Sequence, residues 1–509
     1  MTVSPSTSAQ AVFVRAFRQT AGWLGVLAVL LAPLAGRAEQ PEGLTELFSK
    51  DGVLSTTLVA AAGKVHLGDL ALDGMTYNGI YAGPVLHLHP GDLLKIRLIN
   101  RLTEPTNLHF HGLRGSPLGN GDNVHVLVQP HTALDYQIRI PDSQPIGLYW
   151  YHAHPHGTSE HQIMGGLSGA LVIEGTDPLP VKQRLFVLKD MVFDDDTDNP
   201  EIDDTLHGIV QSVNGLLQTK ETMQPGDAQL WRFTNQSANR LVHIALTGHR
   251  FRIVGQDGEP STIQEPVEVL DIPPGSRFDA MVEAGAPGQY ALVAKVTMTG
   301  SGADRVPDRV IGSLEVGGAS VPAMSAAQAA AVVPAKLPTD LRTARIDATR
   351  KVVFTETAPS AHEKQQFFVN GAIYDAKRMD QSVPLGNTEE WTIRNDSDDL
   401  HVFHIHQIGF QVVAVNGKPV PFTGYVDNVR IPERGEVTLR LPFTDPLIVG
   451  RFVYHCHVLK HEDGGMMANI EIYDPTPPTV LVRLNRFYMH VVWWWNGVPW
   501  SQCGLQDTV

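Results

Sequence analysis

The sequence predicts an all-β chain built from three related domains, and three observations carry that reading. The body is a series of short β-branched and aromatic runs punctuated by 46 Gly and 35 Pro in 509 residues, with few stretches of helical period, as in β-sandwiches or barrels. A unit of turn, alternating strand, polar loop and second strand occurs three times: HPGDLLKIRLINRLTEPTNLHFHG from His89, QPGDAQLWRFTNQSANRLVHIALTG from Gln224 and VPLGNTEEWTIRNDSDDLHVFHIHQIG from Val383. A later strand also repeats, as GLYWYHAH from Gly147, GQYALVAK from Gly288 and GRFVYHCH from Gly450. The spacings place the domains at about 45–177, 178–316 and 350–474.

Residues 1–38 stand apart. Arg15 and Arg18 precede the apolar run from Trp23 to Gly36, and Gly36-Arg37-Ala38 offers small residues where a signal peptidase cuts. The run is short and broken by Pro33, so it reads as a removable export signal rather than an uncleaved membrane anchor. A periplasmic or secreted protein with no stable membrane span follows. The segment 317–349 is Pro- and Ala-rich and reads as a linker along the surface, its Ala-rich centre able to form a helical turn or two. Residues 475–509, dense in Trp, match no repeat; a docked cap and a frameshifted segment both account for them, and no function is placed there.

The formal charge is −15, and −18 without the first 38 residues, which hold three arginines and no acid. Such an acidic chain lacks the clustered Lys and Arg that nucleic-acid binding requires. Only two cysteines are present, Cys456 and Cys503, which argues against a disulfide framework and for a special role of Cys456.

The 22 histidines would give about one His-x-His pair by composition alone. The chain has six: His87/His89, His109/His111, His152/His154, His154/His156, His404/His406 and His455/His457. In the repeat, His109 and His111 fall opposite His404 and His406, where the middle copy has His243 and Ala245. His152 and His154 match His455 and His457, where the middle copy has Val293 and Lys295. The middle domain has thus lost these positions. In a strand residues i and i+2 share a face, so each remaining pair presents two imidazoles to one side. Neutral imidazoles suit copper, zinc or iron, and eight of them predict a multinuclear cluster. His401, an odd number of residues from His404, faces away from that pair, as Cys456 faces away from its flanking histidines; His461 and Met466 follow. Two imidazoles, a thiolate and a distant thioether form the ligand set of a blue electron-transfer copper. His87, His89, His156 and His161 read as structural or outer-shell residues, and Met467 as a core residue beside Met466.

Together HFHG, HAH, HVFHIH and HCHVLKHEDGGM resemble the multicopper oxidases, specifically the three-domain laccase-like enzymes of bacteria, over about 45–474. The resemblance implies three consecutive cupredoxin-like Greek-key β-sandwich or barrel domains and four copper ions. It assigns His401, Cys456, His461 and axial Met466 to type 1 copper, and His109 and His404 to type 2. The type 3 pair takes His111, His152, His154, His406, His455 and His457. It implies one-electron oxidation of a donor coupled to reduction of dioxygen to water, with Asp122 and Glu462 at positions of proton-relaying acids. An axial thioether stabilises oxidised copper and so predicts a low-to-middle potential. Phenolic donors lead; cuprous, ferrous or manganous ions are the alternative, although the 12 methionines form no Met-rich insert. A non-enzymatic copper-binding envelope protein and a two-domain nitrite reductase fit less well, the first because every ligand position is filled, the second because four pairs are present in one chain.

Overall fold

The computed structural model describes residues 44–177, 179–192, 209–262, 265–295, 308–332, 337–358, 365–476, 480–499 and 502. The expected export signal and Cys503 lie outside them. The described chain is almost entirely β, arranged as three successive pairs of sheets with four and five, six and five, and six and five strands. Each pair encloses its own apolar core. These are the three cupredoxin-like domains expected from the repeats.

Strand composition explains the layering. Thr388–Asn395 and Glu436–Pro442 alternate buried and half-buried residues, as strands with one face on a core should. His401–Ile405 and Gly147–His152 are buried throughout. Both lie in five-stranded sheets of the third and first domains; the middle-domain strands Ala228–Asn235 and Arg277–Glu283 pack on Gly147–His152, and His404 of the other strand meets His109 and His111 of the first domain. The five-stranded orders correspond: in the first domain Gly147–His152 lies between Ser168–Ile173 and His109–His111, and in the third Gly450–Cys456 lies between Met467–Tyr473 and His401–Ile405.

Two local devices recur in every domain. Asn78-Gly79, Asn214-Gly215 and Asn370-Gly371 each hold both residues at positive φ, between 52° and 77°. That is the conformation of a tight type I′ turn, for which Asn-Gly is the favoured pair. The second device is a buried asparagine at a strand end. Asn100, Asn235 and Asn395 are fully buried. Their amides donate to the carbonyls of Glu104, Arg240 and Asp399, and their Oδ1 atoms accept from the backbone N–H of Leu102, Ser237 and Ser397. Each satisfies backbone groups that the polar loop would otherwise leave unpaired.

The Ala-rich stretch forms a helix at Ala326–Val332, and Val332 and Met324 pack on the middle domain beside Leu230 and Met281. The C-terminal helix Val480–Trp495 docks on the first domain, where Trp493 and Val498 enter the core. Gly119 admits the indole: a Cβ there would lie 2.2 Å from Trp493. Among the described residues no helix is long and apolar enough to cross a membrane.

Asn235→Ala would strand the carbonyls of Arg240 and Ile272 and the N–H of Ser237. An expected loss of about 3 kcal/mol follows from the cost of buried unpaired groups, read from the calorimetric transition of the purified chain. A loss below about 1 kcal/mol would show that water replaces the amide.

Candidate metal centre

Strand pairing builds the centre. His109 lies directly opposite His152 in the first domain, and His404 directly opposite His455 in the third. The two sets face one another across the interface. His109 stacks on His406 with ring centroids 3.7 Å apart, and His111 on His404 at 3.9 Å. His457 completes the ring 4.9 Å from His111, and His154 lies 5.0 Å from His455. All eight are at most 2% exposed. The groups His109/His111/His152, His109/His404/His406 and His154/His406/His455 each bring ligand atoms within 4.8 Å of one another.

The inward nitrogens fit a metal. His109 Nε2, His111 Nδ1, His152 Nε2, His404 Nε2, His406 Nδ1 and both nitrogens of His457 are buried without a hydrogen-bond partner. The outward nitrogens are occupied. His109 Nδ1 meets Asp122 Oδ1 at 3.0 Å, His404 Nδ1 the carbonyl of Asp427 at 2.8 Å, His152 Nδ1 that of Ala153 at 2.9 Å and His455 Nδ1 that of Cys456 at 3.0 Å. Outer acceptors of this kind take the imidazole N–H and leave the other nitrogen as a bare lone pair. His455 Nε2, left bare by the bond at its Nδ1, lies 3.2 Å from His154 Nε2 and 3.2 Å from His406 Nε2, so three ring nitrogens converge on one point as the ligands of a shared cation would. Burial, then the neighbouring imidazoles, hold His109, His111, His406 and His457 well below the usual histidine range; for His152 and His154 the values are about 3 and 4. Neutral rings are the form that ligates.

On the opposite face of the same strands sits a smaller group. Cys456 Sγ lies 3.5 Å from His401 Nδ1 and 3.7 Å from His461 Nδ1, and these nitrogens are 3.0 Å apart. His401 is oriented from behind by Ser397 Oγ at 2.8 Å. Burial pushes the Cys456 thiol up to about 12 and His401 down to about 3. A thiol so buried becomes a thiolate only when a cation replaces its proton. Met466 is fully buried in the same core cluster as Cys456 and is joined to it by the Cys456 N–H to Met466 carbonyl bond of 3.0 Å. Met467 lies opposite His455 in the ladder, and paired residues point to one face. Met466 therefore belongs to the cysteine face and Met467 to the histidine face.

The two acids sit against the larger cluster. Asp122 accepts from the Phe110 N–H and the Gln407 amide as well as facing His109. Burial outweighs those bonds and raises it to about 7. Glu462 lies 3.0 Å from His455 Nδ1 and 3.6 Å from His154 Nδ1. Neither approach is aligned as a hydrogen bond, so both its oxygens are buried without a partner. Burial acts to raise its pKa, but His154 and His455 outweigh it and hold it at about 2.

The structure shifts one part of the sequence alignment. In the middle domain Ala245 pairs with Val293, and His243 with Lys295. With Val293 as the counterpart of His152 and His455, the position of His109 and His404 is Ala245. His243 lies two residues earlier and faces Asp271 at 3.3 Å. The other histidines have ordinary partners: His87 Nδ1 meets Glu174 at 2.9 Å, His89 faces Asp92, His156 packs edge-on to Tyr374 and His161 is exposed beside Glu104. Sequence reasoning missed Asp427, whose Oδ1 lies 3.1 Å from His111 Nε2, and Arg277, which binds Asp427.

Fold and site together define a cupredoxin-type protein in which a cysteine–histidine group able to hold a metal is joined by one strand to a polyimidazole cluster. Three family models, each described as multicopper oxidase, match residues 61–178, 142–311 and 345–476. The chain belongs to the multicopper oxidase family, and is a copper-dependent oxidoreductase that uses dioxygen. It is 26% identical to multicopper oxidase mco of Staphylococcus aureus, over 85% of this chain and 91% of that relative. It is also 26% identical to cell division protein FtsP of Rahnella sp., over 77% and 84%. Among solved structures, a multicopper oxidase from Campylobacter jejuni described as a metallo-oxidase superposes with a TM-score of 0.73 at 26% identity, covering 85% of this chain and 95% of that one. A laccase-like oxidase from Ochrobactrum sp. shares the fold, with a TM-score of 0.69 at 23% identity over 84% and 99%.

The face assignment of the two methionines is testable. If Cys456 holds copper, Met466→Leu is expected to raise the potential of that ion, because loss of a thioether donor would destabilise its oxidised state. Met467→Leu is expected to leave it unmoved. Redox titration of the visible absorption separates them, and the reverse result would exchange their roles.

Proposed function

We propose that this chain is a laccase-like oxidase that takes single electrons from phenolic or aromatic donors and reduces dioxygen to two waters. The observation that carries the donor class is the surface of the mononuclear group. His401, Cys456 and Met466 are 0% exposed, whereas His461 is 8% exposed. Its ring lies flat on Phe367, centroids 4.4 Å apart and planes 21° apart. Among the described residues no carboxylate forms an ion pair with His461, and Lys460, next to it in sequence, is a cation. An apolar, weakly cationic surround favours a neutral aromatic ring over a hydrated metal ion.

In this reading His401, Cys456, His461 and Met466 would hold type 1 copper, His109 and His404 type 2, and the six remaining cluster histidines the type 3 pair, four ions in all. Bound copper would supply the one-electron redox chemistry that no side chain here has. The chain supplies the connection: Cys456 is bonded to His455 and His457, so a covalent path of a few bonds joins the two groups. Four donors each release an electron and a proton, and dioxygen takes up four of each to give two waters. Asp122 at His109 and Glu462 at His154 and His455 stand where those protons must arrive. The apolar run before residue 38 supports export to the periplasm or beyond.

A metal-ion donor is the second reading, favoured by the description of the Campylobacter jejuni relative. Oxygen uptake by copper-loaded protein is measured with a methoxyphenol and with cuprous, ferrous and manganous ions, using Cys456→Ser as the blank. Uptake with the phenol is expected. Uptake only with a metal ion would replace the phenol reading, and none with any donor would leave a copper-binding protein without oxidase activity toward them.

Asp122→Asn keeps an oxygen toward His109 but removes the acid. The visible absorption of the thiolate-bound copper is expected to survive while dioxygen reduction slows by about 10- to 100-fold. Unchanged turnover would remove Asp122 from the mechanism.

A further inference from the structure

We infer that the middle domain, which has lost the metal positions, orients the cluster through a buried clamp in which Arg277 fixes Asp427 and Asp427 fixes His111. This rests on the assignment of His111 to the polynuclear copper site. Arg277 is fully buried. Its Nη1 and Nη2 reach Asp427 Oδ1 and Oδ2 at 2.8 and 2.6 Å, and Nη1 also donates to the Gly275 carbonyl and Nε to that of Leu148. Asp257 accepts from the Arg277 N–H and contacts Asn428 N–H at 3.4 Å. The clamp thus joins Leu148 and His111 of the first domain, Asp257 and Arg277 of the second and Asp427 of the third.

Asp427 has a defined task. Its Oδ1 lies 3.1 Å from His111 Nε2, while His111 Nδ1 is buried without a partner and faces the cluster. A carboxylate at Nε2 takes the ring's N–H, leaves Nδ1 as the bare lone pair and stops rotation of the imidazole. Two parallel hydrogen bonds from a planar guanidinium set the plane of that carboxylate, which a single-point cation would not do. Both carboxylate oxygens receive Arg277 and Oδ1 also meets the outer nitrogen of His111, so Asp427 is assigned a positioning role although it lies close enough to His111 and His404 to form a ligand group with them. Its backbone carbonyl separately holds His404 Nδ1 at 2.8 Å.

The surrounding glycines show how closely the parts are fitted. A Cβ on Gly112 would lie 2.4 Å from Arg277 Nη2 and 2.7 Å from Asp427 Oδ2. Gly275, at φ +84°, brings the middle-domain turn against the cluster: a Cβ there would lie 2.7 Å from His457 Cε1 and 2.8 Å from its Nε2. One turn, Pro273 to Arg277, therefore touches two of the cluster imidazoles, one directly and one through Asp427. Arg277 and Asp427 are positioning residues, since neither touches the reacting atoms.

The test compares copper-loaded parent, Arg277→Gln and Asp427→Asn by copper per chain, visible absorption, EPR-detectable copper and turnover. Two oxidised coppers held in register couple their spins and are silent in EPR; a pair pulled out of register is not. Arg277→Gln is expected to keep the visible absorption of the Cys456 copper, to raise the EPR-detectable fraction and to lower turnover by about 10- to 100-fold, the usual cost of losing an outer partner of a metal ligand. Asp427→Asn keeps an oxygen for His111 but loses the ionic pair, and is expected to fall between; it decides the matter if Arg277→Gln does not fold. Variants that melt at lower temperature yet keep the parent's copper count, EPR fraction and turnover would overturn the clamp, leaving Arg277 as a staple between domains. A parent that binds fewer than four coppers would instead overturn the site reading, before any variant is compared.

Discussion

Eight imidazoles packed into one dry interface, with their free nitrogens turned toward each other, are the constraint on which the rest of the structure depends. Where the outer nitrogens give their N–H to Asp122 or to backbone carbonyls, the inner lone pairs have no hydrogen-bond partner among the described residues. A bound cation would satisfy them and so would stabilise the contact between the first domain and the third. Acid acts against it. Unfolded imidazoles take up protons below about pH 6.5, whereas His152 and His154 resist protonation until about 3 and 4. These rings have depressed folded pKa values, so over that window the unfolded chain binds more protons and the metal-free fold loses stability as pH falls.

Strand alternation turns this constraint into two centres a few bonds apart. His404 pairs with His455 and Phe403 with Cys456, so a single pair of strands carries cluster ligands on one face and the thiol on the other. The His457 N–H to Val402 carbonyl bond of 2.6 Å extends that pairing past the end of the ladder and fixes the third residue of the motif. A register slip of one residue would exchange the faces and put the thiol into the imidazole cluster. Fixed register is thus a requirement of the chemistry as well as of the core.

The paired histidines were legible because two independent regularities, the period of two and the threefold repeat, agreed on the same residues. The displacement of His243 was not, and the reason is local. The buried asparagine of the middle domain reaches the carbonyl five residues on, at Arg240, whereas Asn100 and Asn395 reach the one four residues on. That loop is one residue longer, which accounts for one of the two positions by which His243 is displaced. The Asn-Gly turns stand in all three copies and could have strengthened the repeat. Arg277 and Asp427 carried no signal, since they are 150 residues apart and nothing local distinguishes a buried ion pair from a surface one. The tail was read as foreign to the repeat, and its docking depends on the space above Gly119, which only the folded chain reveals.

The middle domain lacks the paired histidines, yet its packing makes it a brace rather than a spacer. Its strands Ala228–Asn235 and Arg277–Glu283 lie against Gly147–His152, the strand that ends in a cluster histidine. Tyr149 of that strand donates to the Gly258 carbonyl at 3.0 Å, and a Cβ on Gly258 would meet its ring at 2.3 Å. On the flank, fully buried Lys189 spends its three donors on Tyr81, Gly166 and Ser168 of the first domain. A buried lysine with every donor used is costly to move, since displacement leaves the Tyr81 and Gly166 carbonyls unpaired in a dry interface. Oxygen chemistry at the cluster needs imidazoles held within about half an ångström of their working positions. The first and third domains are joined directly, by Gln407 to Asp122 and by Asp463 to the N–H groups of Gly157, Ser159 and Glu160. The middle domain adds contacts to Gly147–His152 and, through Arg277, to Asp427, and so restrains the same interface from a third side.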